Sequence, residues 1–238
     1  MAIASTQNIA EERSESAKPL RFVTAASLFD GHDAAINVMR RLIQAQGAEV
    51  IHLGHNRGVR EIVRAALQED ADGIAISSYQ GGHMEFFRYM VDMLRENGAP
   101  HIRVFGGGGG TITPEEIDEL QAYGVERIYH PRDGMQLGLV GMIEDLVQRT
   151  AEQRVAPVRP QQVRIEDEIA VAQMVSAIEE GLLGETELAR LRKEWTLRAG
   201  QVPVVGITGT GGAGKSSFTD ELLARILRHF PERRIAGL

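Results

Sequence analysis

The chain has 238 residues, 43% of them hydrophobic, with a formal net charge of -7 and no cysteine. Length and apolar share support one full domain plus part of a second. An acidic balance without a Lys/Arg cluster argues against a nucleic-acid partner, and the missing thiols exclude disulfides, iron–sulfur clusters and cysteine zinc sites.

The lack of cysteine fits a cytoplasmic location. No apolar run approaches the roughly 20 residues of a membrane span, so no membrane partner is expected. Residues 1–19 are polar, carry Glu11, Glu12 and Glu15, and have no secretory apolar segment. They read as a mobile leader.

From Arg21 onward, strand-like and helix-like patterns alternate. The strand-like runs are Arg21–Ser27, Glu49–Leu53, Gly73–Ser77, Ile102–Phe105 and Arg127–Tyr129. The helix-like runs are His32–Gln46, Val59–Glu69, Met84–Asn97, Pro114–Ala122 and Met135–Arg149. Ile36, Met39 and Ile43 share a face of the first helix, and Phe87, Met90, Val91 and Leu94 form a stripe on the third. Thr113-Pro114-Glu115-Glu116 supplies a capping Thr, a Pro at the first helical position and a Glu three residues after the cap. Five βα units over residues 20–150 predict an α/β domain: a doubly wound, Rossmann-like parallel sheet in the flavodoxin-like order 2-1-3-4-5.

Residues 151–200 read as a helical linker. Pro157 and Pro160 mark its start. Ile165, Ile169, Ala172 and Val175 suggest the apolar face of one helix, and Leu188, Leu191 and Trp195 that of a second. A hairpin packed on a neighbouring domain is the plain reading; a coupling or partner-docking element is the sharper one.

Residues 201–238 open a second α/β unit. Val204–Thr208 reads as a strand, and Gly209 to Ser216 matches the phosphate-binding pattern G-x-x-x-x-G-K-[ST]. The backbone of Gly209, Gly211, Gly212, Ala213 and Gly214 would wrap phosphate oxygens. Lys215 would reach the outer phosphates and Ser216 would bind Mg²⁺, with Ser217 beside it. The strand-end acid and base-recognition loop of a nucleotide site normally follow later, so little hydrolysis is expected of this polypeptide by itself.

The other chemistry-bearing stretch is Phe29-Asp30-Gly31-His32-Asp33, at the loop from the first strand to the first helix. In an α/β sheet ligands bind at such carboxyl ends. His32 reads as a metal ligand and Asp30 as the carboxylate that orients its ring. Ser77-Ser78-Tyr79, then Gly81-Gly82-His83, close the third strand, and Gly106 to Gly110 close the fourth. Hydroxyls and bare backbone at adjacent strand ends make a slot for a long, flat group. His83 is the weaker candidate for touching that group, while His52, His55 and His101 read as surface or packing residues.

Asp30-Gly31-His32-Asp33, Ser77-Ser78-Tyr79 and Gly106-Gly107 resemble the D-x-H-x-x-G…S-x-L…G-G signature of cobalamin-binding domains, most of all those of the acyl-CoA mutases, the methylmalonyl-CoA mutase family among them. The glycine three after the His is here Ala35, and the leucine after the serine is Tyr79. The resemblance implies adenosylcobalamin bound base-off. His32 would take the lower axial position on cobalt and Asp30 would hold its imidazole. Ser77 would hydrogen-bond near the buried base, and Gly106 and Gly107 would let the nucleotide tail pass close to backbone. The order of cobalamin domain, helical linker and P-loop domain resembles the fused isobutyryl-CoA mutases, in which a GTPase chaperone domain, binding GTP or GDP with Mg²⁺, precedes a substrate barrel. That resemblance implies a module of a radical isomerase whose partners are the remaining GTPase and barrel domains, with a homodimer one open assembly of the full-length protein. A (β/α)₈ barrel needs about 250 residues, so the chain is expected to be a fragment and inactive alone. A corrinoid methyl carrier or cobalamin sensor is the binding-protein alternative. A receiver-like domain with Asp30 and Asp33 as its acidic pocket is the alternative without cobalamin.

Overall fold

The computed structural model describes residues 18–31, 33–200 and 202–235, with the backbone alone at Asp33. The expected leader and His32 therefore lie outside the described residues, apart from Lys18 and Pro19. The chain divides into two compact units, one ending at Gly184 and the other beginning at Glu185.

In the first unit, β1 (Arg21–Ser27), β2 (Glu49–Arg57), β3 (Gly73–Ser77), β4 (Arg103–Gly107) and β5 (Arg127–Tyr129) form one parallel sheet in the order β2-β1-β3-β4-β5. The expected order 2-1-3-4-5 is thus the observed one. β1 and β3 are buried almost throughout, as strands covered by helices on both faces must be. The helices α1 (Asp33–Ala45) and α5 (Pro131–Glu152) cover one face, over Phe22, Ile43, Ala75, Phe105, Ile143 and Leu146. The helices α2 (Val59–Gln68), α3 (His83–Glu96) and α4 (Pro114–Tyr123) cover the other, around Val23, Ile62, Ile74, Phe87, Met90 and Val104. The α3 stripe is buried as its spacing predicts. The predicted cap of α4 also forms: Thr113 Oγ1 accepts the Glu116 N–H at 3.3 Å, and the Glu116 carboxylate accepts the Thr113 N–H at 2.8 Å.

Three elements differ from the expected bounds by more than one residue. β2 continues past Leu53 to Arg57, because bulges let it follow the end of β1. β4 takes in Gly106 and Gly107, which pair with Ile128 and Tyr129 on one side and Ile76 and Ser77 on the other. α5 starts at Pro131 rather than Met135 and breaks at Gly138 (φ 67°, ψ 169°), a conformation open essentially to glycine alone.

The first linker helix, α6 (Glu168–Glu179), belongs to the first unit and packs on α2. Its buried face corrects the predicted one. Ala170, Ala172, Met174 and Ala177 are buried, whereas Ile165 and Val175 are exposed. Small alanines bring the helices close, and ion pairs then fasten both ends. Arg64 and Gln68 hold Glu168, Arg21 holds Glu179, and Arg154 bridges Asp72 and Glu180.

The second unit holds α7 (Glu185–Ala199) and α8 (Lys215–His229), neither with a buried residue. The strand expected at Val204–Thr208 is not formed, and those residues are exposed. A strand is stable only against a partner, and the second unit contains none among the described residues. Local β propensity alone does not make one.

Candidate functional site

The site lies at the carboxyl ends of β1, β3 and β4, where the strand order reverses. There Ala26, Ser77, Gly107 and Tyr129 stand in one row across the sheet. Ser27 Oγ donates to Ser78 Oγ at 3.0 Å across the gap between β1 and β3. Ser78 N–H donates to Gly107 O at 2.7 Å, carrying the ladder one step beyond β3.

Asp30 is fully buried. Its N–H donates to Ser27 O at 3.0 Å, closing a turn, and its Oδ2 accepts the Tyr79 N–H at 2.8 Å. The two predicted loops are thus joined through Asp30 and Tyr79. A carboxylate sealed in this way is a poor phosphate acceptor, which argues against the receiver-like reading. Gly31 is exposed. The Asp33 side chain and all of His32 lie outside the described residues.

Ser77 is 7% exposed, and its hydroxyl has no hydrogen-bond partner among the described residues. It lines a cavity of about 360 Å³ between the sheet and the α1/α5 face, with Ile36, Met39, Tyr79, Tyr129 and Leu139 also on its walls. Such a volume is at the small end of organic-ligand pockets. The backbone of Gly106 to Gly109 lines the same cavity.

The glycines have separate reasons. A Cβ at Gly106 would come within 2.4 Å of the Phe87 ring and 2.7 Å of Ile128, so this glycine makes room for α3. A Cβ at Gly107 would meet only Tyr129 O at 3.5 Å, an ordinary contact. At Gly108 it would lie 1.9 Å from Ser78 O. The tight crossing of the two loops therefore rests on Gly108, which the sequence pattern alone did not single out. Gly109 lies under the Tyr79 ring, with only 2.7 Å left for a Cβ.

His83 is drawn away from the cavity. It is buried at the start of α3, with Nε2 3.1 Å from Glu116 Oε2 and Nδ1 3.4 Å from Gln80 O. Glu116 sits below the ordinary carboxylate pKa, first because it accepts the Thr113 N–H and then because of His83. Gly82 precedes this helix as its N-cap, at φ 84°. His52 shares a hydrogen bond of 2.9 Å with Thr24 Oγ1, a packing role.

The sequence also gave no sign of the clamp on the cavity's far wall. Tyr129 Oη donates to Asp145 Oδ2 at 2.8 Å, and Arg149 Nε donates to the same oxygen at 2.9 Å. The Arg127 guanidinium lies 3.5 Å from Asp145 and 5.1 Å from the Tyr129 ring centre. Burial, then the hydrogen bond to Asp145 and its charge, pushes the Tyr129 hydroxyl strongly upward, keeping it a protonated donor. Burial would raise Asp145, but the bonds from Arg149 and Tyr129 and the Arg127 charge outweigh it and hold its carboxyl low.

In the second unit, Lys215 Nζ donates to the carbonyls of Gly209 at 2.9 Å and Thr210 at 2.8 Å. The loop therefore curls around its own lysine. Gly211, Ala213, Ser216 and Ser217 are exposed, while Gly212 and Gly214 turn the chain at φ 75° and 78° into the start of α8. Among the described residues no cluster of three His, Asp or Glu side chains could hold a metal ion, and no helix is long and apolar enough to cross a membrane.

Residues 20–134 match the family model of the B12 binding domain. The chain is 61% identical over 211 residues to the fused isobutyryl-CoA mutase of Cupriavidus metallidurans, covering 88% of this chain and 19% of that protein. It is 55% identical over 226 residues to the protein of the same name from Geobacillus kaustophilus, covering 92% of this chain and 21% of that one. It therefore spans about a fifth of the length of these curated relatives. It is also 32% identical over 139 residues to the pivalyl-CoA mutase small subunit of Xanthobacter autotrophicus, covering 58% of this chain and 90% of that subunit. The chain belongs to the acyl-CoA mutase family and carries its B12-binding domain.

Proposed function

We propose that the first unit binds adenosylcobalamin base-off, as the cofactor module of a fused isobutyryl-CoA mutase. The observation that carries this reading is the buried Ser77 hydroxyl, without a hydrogen-bond partner among the described residues, on a mostly apolar cavity. An aromatic base with one acceptor nitrogen fits that donor and those walls, and a buried hydroxyl without a partner is costly to keep. The backbone of Gly106 to Gly109 on the same cavity supports the same fit, since a chain or tail can lie there against bare backbone.

In this reading His32 would hold the cobalt, and Asp30, fixed by Tyr79 N–H, would orient its imidazole. Gly31, Asp33, Ser78, Tyr79, Gly82, Gly106 and Gly107 would frame the site, while His83 faces the Gln80 carbonyl and Glu116 rather than the cavity. When bound, the cofactor supplies radical chemistry through its cobalt–carbon bond. The complete enzyme would interconvert isobutyryl-CoA and n-butyryl-CoA, with the acyl-CoA site on a substrate barrel. The second unit would open a G-protein chaperone domain that takes GTP or GDP with Mg²⁺ at Lys215 and Ser216.

The visible spectrum of the protein mixed with adenosylcobalamin tests the reading. A base-off, histidine-ligated spectrum is expected, which His32→Ala alters or abolishes. Ser77→Ala should weaken binding by roughly three- to tenfold, the worth of one hydrogen bond. A wild-type protein that leaves the free-cofactor spectrum unchanged and dialyses colourless would overturn it.

A further inference from the structure

Two non-glycine residues beside the site have left-handed backbones, and they touch each other. Phe29 has φ 65° and Asn56 has φ 57°, and the Phe29 N–H donates to Asn56 Oδ1 at 2.8 Å. A bulky residue at positive φ persists only where its surroundings over-determine it. The Phe29 ring cannot do this, since it is 79% exposed. The hold must come through the backbone. One tie is the turn in which Asp30 N–H reaches Ser27 O at 3.0 Å. The other is Asn56.

Asn56 reaches this turn because β2 is irregular. Thr24 pairs with His52, Ala25 with Gly54 and Ser27 with Arg57. Between Thr24 and Ser27, β2 therefore carries two more residues than β1. Gly54, at φ 84°, sits within this irregular stretch. Bulges of this kind bend a strand and re-aim its side chains. Here the bend carries the Asn56 side chain across the end of β1. Asn tolerates the left-handed region better than most residues, so the position suits the residue.

We propose that Asn56 is a positioning residue for the cofactor loop. Its side-chain carbonyl holds Phe29 in the left-handed turn and so fixes the direction in which the chain leaves the buried Asp30 toward His32. Tyr79 N–H pins the Asp30 carboxylate from β3, and Asn56 pins the turn from β2. The consequence for cobalt ligation rests on the cobalamin reading above; the hold on the turn does not.

Two variants of the full 238-residue chain separate these points. Asn56→Gly removes the acceptor while leaving the backbone free to keep its positive φ. Asn56→Asp keeps an acceptor oxygen. In ligand-free protein, amide exchange of residues 28–31 should quicken by roughly three- to tenfold in Asn56→Gly and stay at the wild-type rate in Asn56→Asp. With adenosylcobalamin, Asn56→Gly should show a mixed spectrum with incomplete lower-ligand coordination, and Asn56→Asp should restore the wild-type spectrum. Wild-type exchange in Asn56→Gly, or equal impairment in both variants, would overturn the proposal. A wild-type protein without any cofactor spectrum would sink the cobalamin reading instead, and the ligand-free exchange would still judge Asn56.

Discussion

Among single residues, neighbouring glycines answer to different demands. Gly106 yields to a helix, Gly107 to nothing closer than an ordinary contact, and Gly108 to a backbone carbonyl. A methyl group at Gly108 would press on Ser78 O, which shares its peptide plane with the Tyr79 N–H that is bonded to the buried Asp30 carboxylate. Gly108→Ala should therefore cost about 1–3 kcal/mol, the usual penalty for overpacking. Gly107→Ala should stay within about 0.5 kcal/mol of wild type. Thermal melts of the two variants decide the matter; equal melting temperatures would show that the crossing can relax. In sequence, residues 106–110 are five identical letters, and nothing local tells them apart.

Between elements, the clamp of β5 on α5 is the informative contact. Tyr129, Arg127, Asp145 and Arg149 join strand and helix beside the cavity, beyond the break at Gly138. The Asp145 carboxyl is held below its ordinary value of 3.8. The unfolded chain thus binds this proton more readily than the folded one. The stability Asp145 contributes is present at neutral pH and is lost as pH falls through the ordinary carboxylate range toward its lowered folded value. Asp145→Asn should be less stable than wild type at pH 7, with the gap closing as pH falls below the ordinary carboxylate value. Melting curves across that range that remain parallel would show that the clamp carries no such linkage. The helix periods of α1 and α3 were readable because one face repeats along the chain. This clamp was not, because Tyr129 and Asp145 are ordinary residues until the fold sets them 2.8 Å apart.

Across the whole molecule, the two units differ in what supports them. The first has a complete sheet covered on both faces. The second has a glycine-rich loop around Lys215 without a strand behind it. The lysine is already held by two carbonyls, which a phosphate would have to replace. Calorimetry with Mg²⁺ and GDP should give a binding heat that Lys215→Ala abolishes, while the cobalamin spectrum of that variant stays at wild type. Absence of any heat from the wild-type chain would refute nucleotide binding by this loop.

The five βα units, their order and the pair of loops around Asp30 and Ser77 were legible in the sequence alone, as was the G-x-x-x-x-G-K-[ST] pattern at Gly209 to Ser216. These follow from periodicity, caps and turn chemistry, which act over a few residues. The tertiary structure decided the rest. It placed Ser77 on a cavity with no partner among the described residues, turned His83 toward Glu116, and bent β2 so that Asn56 meets Phe29. It also left Val204–Thr208 without strand pairing. Each of these depends on a partner distant in sequence, and local propensity carries no information about whether that partner is in place.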